Sequence, residues 1–125
     1  MPLSPGDICL VEYPFTDKPE AKKRPVFIAE PLEGTLLALT DGEGSPSSSH
    51  AVFIPITSRL IHGIYNVPVL DSHPDFKETG LKVSFTVLCW NLYTIHKAMI
   101  KHKLGKAPES LRTEVKDRLR ALLRL

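Results

Sequence analysis

The sequence predicts a mainly β (α+β) fold, a small and strongly bent sheet or barrel packed by one C-terminal helix. Three observations carry this expectation. Short β-branched and aromatic runs, punctuated by proline, fill most of the 125 residues. Helical periodicity is confined to the C-terminus. No repeat or composition break divides the chain, and its length suits one modest core, so residues 1–125 read as a single domain.

The first run, DICLVEYPF from Asp7 to Phe15, is β-type and ends at Pro14. PVFIAEPL follows, where Pro25 suits a first strand position because it has no N–H to give a ladder. TLLALTDGEG reads as a strand entering a turn at Asp41-Gly42, and SPSSSH, Ser45 to His50, as a polar and mobile loop. AVFIPITSRL resumes as a strand in which Pro55 implies an edge or a bulge, and IYNVPVL carries Pro68. After DSHPDFKETG, the run LKVSFTVLCWNLYTI, Leu81 to Ile95, is the longest β candidate, and AMIKHKL adds a last short strand. In PESLRTEVKDRLRALLRL, Leu111, Val115, Leu119 and Leu122 recur at spacings of four, four and three, which is one face of a helix. Pro108 and Glu109 suit its first turn. Arg118, Arg120 and Arg124 lie late, where they complement the helix dipole on a solvated face.

Composition excludes several functions. With 42% apolar and 24% charged residues the chain is globular, not disordered. A net charge of +2 is too small for blanket nucleic-acid binding, so any such contact must come from a local cluster. The N-terminal residues lack the charged and apolar regions of a signal peptide, and no run is long enough to span a bilayer, so a cytoplasmic protein with no membrane partner is expected. Cys9 and Cys89 sit in apolar runs and read as buried, reduced thiols. No CxxC or CxxH pair exists, so no metal site is expected, and the absence of a Walker or GxGxxG motif leaves no nucleotide cofactor to expect.

Two local clusters could carry chemistry. In EAKKRPVFIAE, three cations meet a proline and an apolar strand; Lys18, Lys22, Lys23 and Arg24 against Asp17 and Glu20 leave a local excess of +2. Composition leaves two readings open, gatekeeper charges flanking an aggregation-prone strand or a rigidly held guanidinium that grips a phosphate through paired hydrogen bonds. In PITSRL, the hydroxyls of Thr57 and Ser58 and the cation Arg59 follow an apolar strand, a pattern that alone reads as a turn device. His50, His62, His73, His96 and His102 have no partner at a recognisable spacing and read as surface residues.

In order, GDICLVEYPFTD, KKRPVFI, FIPITSRL and the segment from GLKVSFTVLCWNLYTIHK to the C-terminal helix resemble the MazF/PemK toxins of type II toxin–antitoxin modules, most closely the PemK-like branch. The resemblance covers nearly the whole chain. It implies a small SH3-like/CcdB-type barrel with a C-terminal helix, a homodimer, and metal-independent cleavage of single-stranded RNA, with no cofactor. It places catalysis on Arg24 of the RP motif and Thr57 of the P-x-T-[ST] motif. Lys22, Lys23, Ser58 and Arg59 are assigned to the RNA backbone, and Phe15 or Tyr13 to stacking on a base. His96 stands where the family commonly has an aspartate that stabilises a turn, a task histidine is expected to do less well. The implied partner is an antitoxin whose acidic, disordered tail covers the basic rim. Alternatives of other classes are a CcdB-like binder of DNA gyrase, and an inactive relative that only binds RNA or antitoxin.

Overall fold

The computed structural model describes residues 3–13, 22–31 and 50–125. Their strands are β1 (Asp7–Tyr13), β2 (Lys22–Pro31), β3 (His50–Thr57), β4 (Asn66–Val69), β5 (Phe85–Leu88), β6 (Tyr93–His96) and β7 (Ile100–Lys106). Two 3₁₀ turns, Phe76–Thr79 and Lys97–Met99, and the helix α1 (Glu109–Leu123) complete the chain. All pairings are antiparallel, in the order β4-β5-β3-β2-β1-β7, with β6 also on β3. The mainly β architecture with one C-terminal helix is the one expected. Among the described residues the terminal strands β4 and β7 do not pair, so the sheet is open.

Within it, β6-β3-β2-β1-β7 form a barrel-like half, because the turn Lys97–Met99 joins its first strand directly to its last. Alternation along each strand supplies two opposite faces. Cys9, Val11, Val26, Ile28, Ala51, Phe53, Ile95 and Ile100, all from those five strands, make one buried cluster that fills the inside. The alternate residues Ile8, Phe27, Ile54 and Ile56 face outward into a second cluster with the β4–β5 hairpin and Leu111 and Val115 of α1. Helical spacing therefore delivers the apolar stripe that the sheet's other face needs, and each fully buried Phe or Val side chain stabilises the fold by about 1.5–3 kcal/mol. Across β3 and β6, Phe53 stacks on Tyr93 with ring centroids 5.3 Å apart.

β3 changes partner along its outer edge. Residues His50 to Phe53 pair with β6, and Ile56 and Thr57 pair with β5. Pro55 occupies the interval between these outer ladders, so on that edge it has no partner strand to donate to, and on the other side it is the last residue paired with β2, opposite Val26. Pro68 lies in the edge strand β4, again where the rule permits it.

Two expectations need correction. β2 begins before PVFIAEPL: Lys22, Lys23 and Arg24 are strand residues opposite Tyr13, Glu12 and Val11, and Pro25 sits inside the strand opposite Leu10. The length of β1 provides that pairing, while the β2–β3 ladder starts only at Val26, beyond the proline. The run Leu81 to Ile95 is not one strand. It breaks after Leu88 at a turn in which the Asn91 N–H donates to the Leu88 carbonyl at 2.9 Å, because its two halves serve different stretches of β3. The expected strand TLLALTDGEG, the loop residues Ser45 to Ser49, and Phe15 lie outside the described residues.

Candidate functional site

The register of β2 and β3 brings the two singled-out motifs together. Ile28 faces Phe53, Phe27 faces Ile54 and Val26 faces Pro55; Arg24 and Thr57 each lie two residues past that last pair. Beyond Val26–Pro55 the strands are no longer laddered to each other: β2 pairs there with β1 alone, and Ile56 and Thr57 with β5 alone. By strand alternation, Arg24 shares the side of Val26 and Ile28, and Thr57 that of Ala51 and Phe53. That is the inward side of the barrel-like half. Arg24 is exposed and Thr57 half-buried, so the pair stands at its mouth.

Thr57 ends its strand in a local turn, its Oγ1 accepting the Arg59 N–H at 3.3 Å. One lone pair is thus engaged while the hydroxyl proton remains able to donate. Ser58 and Arg59 follow on the surface. Lys23 lies opposite Glu12, one residue out of phase with Arg24, and therefore belongs to the other face. Lys22 is in phase with Arg24 along the backbone. The structure sets Arg24 and Thr57 on the same face of neighbouring strands, puts Ser58 and Arg59 on the surface directly after Thr57, and places Lys23 on the other face.

Sequence reasoning missed Thr86. This β5 residue pairs with Thr57, is fully buried, and uses its hydroxyl twice: Oγ1 donates to the Arg59 carbonyl at 2.7 Å and accepts the Ile61 N–H at 3.0 Å. SFTVL carries no signal of this, since a β-branched threonine in an apolar run reads as strand filler.

The histidines have structural tasks. His96 Nδ1 accepts the Ala98 N–H at 3.1 Å and caps the Lys97–Met99 turn, the role foreseen for an aspartate there; its ring meets that of His50 edge-on at 5.2 Å. His73 Nδ1 accepts the Asp75 N–H at 3.0 Å, which leaves the ring proton on Nε2, 3.4 Å from the Ser110 hydroxyl. That imidazole donates to Ser110 and cannot activate it as a nucleophile. Burial pushes the Cys9 thiol up to about 11, helped by Asp7 and opposed by Lys103. Burial likewise takes Cys89 up to about 12, with Arg118 lowering and Glu114 raising it. Both stay protonated near neutrality and are unreactive. Among the described residues, no group of three or more His, Cys, Asp and Glu side chains could hold a metal, and no helix is long and apolar enough to cross a membrane.

A family model described as "PemK-like, MazF-like toxin of type II toxin-antitoxin system" matches residues 4–123. The chain belongs to the PemK/MazF-like toxins of type II toxin–antitoxin systems. Solved structures agree in fold. The Mycobacterium tuberculosis toxin MazF-mt6 superposes with a TM-score of 0.64 at 19% identity, over 95% of this chain and 97% of that one. A MazE–MazF structure from Deinococcus radiodurans gives 0.62 at 21% identity, over 98% and 97%. An endoribonuclease in complex with its cognate antitoxin, from a mycobacterial species, gives 0.66 at 16% identity, over 100% and 97%. The search of curated proteins found no match. The likeness of these proteins to the present chain is one of fold.

Proposed function

We propose that this PemK/MazF-like toxin is a metal-independent endoribonuclease that cuts single-stranded RNA, leaving 2′,3′-cyclic phosphate and 5′-OH ends. The observation that supports the reading is that Arg24 and Thr57 stand on the same face of neighbouring strands, each two residues past the last β2–β3 pair, Val26–Pro55. A groove mouth with a guanidinium on one strand and a hydroxyl on the next fits a phosphodiester. The fold kinship with a MazF toxin and with a mycobacterial endoribonuclease supports it.

RNA brings its own nucleophile, so the protein need not hold an attacking water. The 2′-oxygen attacks phosphorus as it loses its proton, the P–O5′ bond breaks, and the 5′-oxygen takes up a proton. The enzyme must align the 2′-oxygen with the leaving oxygen and neutralise charge on the phosphorane. Arg24 supplies that charge. A guanidinium holds its proton in proteins, so it serves here as a charge stabiliser and not as a proton donor. Thr57 donates its hydroxyl proton to a phosphate oxygen, its acceptor side being engaged by Arg59 N–H. Ser58, Arg59 and Lys22 attend the neighbouring backbone, and Lys23 steers RNA from farther away. DNA binds without reacting because it lacks the 2′-OH.

Residues 1–125 act as one cytoplasmic toxin domain and as a homodimer. Its antitoxin lays an acidic, disordered tail over the basic rim. The solved complex of the mycobacterial endoribonuclease with its cognate antitoxin, and the MazE–MazF structures, support such a partner. The test is cleavage of a long single-stranded RNA in excess EDTA, with cut sites mapped by primer extension. Discrete cuts with cyclic phosphate ends are expected. Intact RNA, or loss of cutting on chelation, overturns the reading; inhibited supercoiling by gyrase with RNA intact would select the binder instead.

A further inference from the structure

We infer that Thr86 is a positioning residue for this site: its buried hydroxyl clamps the segment that follows Thr57 and so fixes where the Thr57 hydroxyl meets the phosphate. The inference rests on the ribonuclease reading of the Arg24–Thr57 mouth.

Thr86 and Thr57 are directly paired across β5 and β3. Immediately after that pair the chain leaves the sheet as Ser58-Arg59-Leu60-Ile61, all exposed. An exposed four-residue exit would ordinarily move, and the Thr57 side chain would move with it through its bond to Arg59 N–H. Thr86 removes that freedom from 25 and 27 residues away in sequence, accepting from Ile61 N–H and donating to the Arg59 carbonyl. Arg59 is thus held on both sides of its α-carbon, its N–H by Thr57 and its carbonyl by Thr86. A hydroxyl spent in both directions inside a fully buried site costs more to remove than a solvated one, so the clamp is firm.

Thr79 supplies a control. It too is fully buried, and its Oγ1 donates to the Phe76 carbonyl at 2.7 Å and accepts the Leu81 N–H at 3.1 Å. Its bonds close only its own 3₁₀ turn, away from β3.

The experiment compares Thr86→Val, Thr86→Ser and Thr79→Val with the wild-type chain, following RNA cleavage and the amide NMR shifts of residues 57 to 61. Valine keeps the shape and strand preference of threonine and puts a methyl group in place of the hydroxyl. Thr86→Val is expected to lower kcat about 100-fold with little change in KM, the loss typical of misplacing a reacting contact by about an ångström. Thr86→Ser should recover most of that rate, and Thr79→Val should lower the melting temperature while keeping kcat. Wild-type kcat in a folded Thr86→Val, or no recovery in Thr86→Ser, overturns the inference. If the wild-type chain itself does not cut RNA, the ribonuclease reading fails. The clamp is then judged by the amide shifts, which overturn it if Thr86→Val leaves residues 57 to 61 unchanged.

Discussion

The two ends of β3 treat their polar groups in opposite ways. At its start, His50 faces His96, and the His96 ring nitrogen is consumed in capping the turn that joins β6 to β7. At its finish, Thr57 stands on the inward side with Arg24 across an unladdered gap, its hydroxyl proton still able to donate. One strand therefore has a structural end and, in the proposed function, a chemical end. Both residues lie within an outer-edge ladder and beyond the last pair with β2, so the difference lies in the side chains: a ring nitrogen spent on a turn at one end, a hydroxyl proton able to donate at the other.

The largest effects are expected at the chemical end. Arg24→Ala and Thr57→Val should each lower RNA cleavage by about 100-fold or more, by loss of transition-state charge stabilisation and of a phosphate hydrogen bond. Circular dichroism should show both variants folded, since neither side chain belongs to the buried clusters. A rate within threefold of wild type in either would abolish the distinction between the ends.

Between the ends, the barrel interior should be closed to solvent. Cys9 lies in that interior and Cys89 in the outer core, with thiols raised to about 11 and about 12. A thiol reagent at pH 8 should label neither in the folded protein and both after denaturation. Labelling of folded Cys9 would mean that the mouth opens into the interior. Between about pH 9 and pH 11 the unfolded chain gives up these protons while the folded chain keeps them. The native state then binds more protons, and stability must fall as pH rises through that window. Replacing Cys89 by alanine should flatten the fall seen in melting curves.

The smallest effect belongs to the structural end. His96→Ala removes the turn cap and should lower stability by about 0.5–1 kcal/mol, measured by urea unfolding, with cleavage unchanged. His96→Asp, which keeps an acceptor, should restore it. A loss of cleavage in His96→Ala at full stability would move chemistry to this end as well.

Much of this was legible in the sequence, for identifiable reasons. The helix was visible because Leu111, Val115 and Leu119 must repeat along one stripe to cover a sheet. Arg24 and Thr57 were found through the RP and P-x-T-S motifs, but no local pattern could place them on one face of neighbouring strands, just past the last β2–β3 pair. That β3 exchanges β6 for β5 halfway along was hidden, because a period of two reports a face and not a partner. The start of β2 ahead of Pro25 was hidden for the same reason: Lys23 is a strand residue opposite Glu12 because β1 reaches Tyr13. Thr86 was invisible, since a hydroxyl that bridges Arg59 and Ile61 makes its case only through groups 25 and 27 residues away.

The most direct measurement of the central claim is a double-mutant cycle on kcat for single-stranded RNA cleavage, using Arg24→Ala, Thr57→Val and the pair together. If guanidinium and hydroxyl serve one phosphate, the double variant should be little slower than the slower single variant. Losses that multiply independently would contradict a shared phosphate.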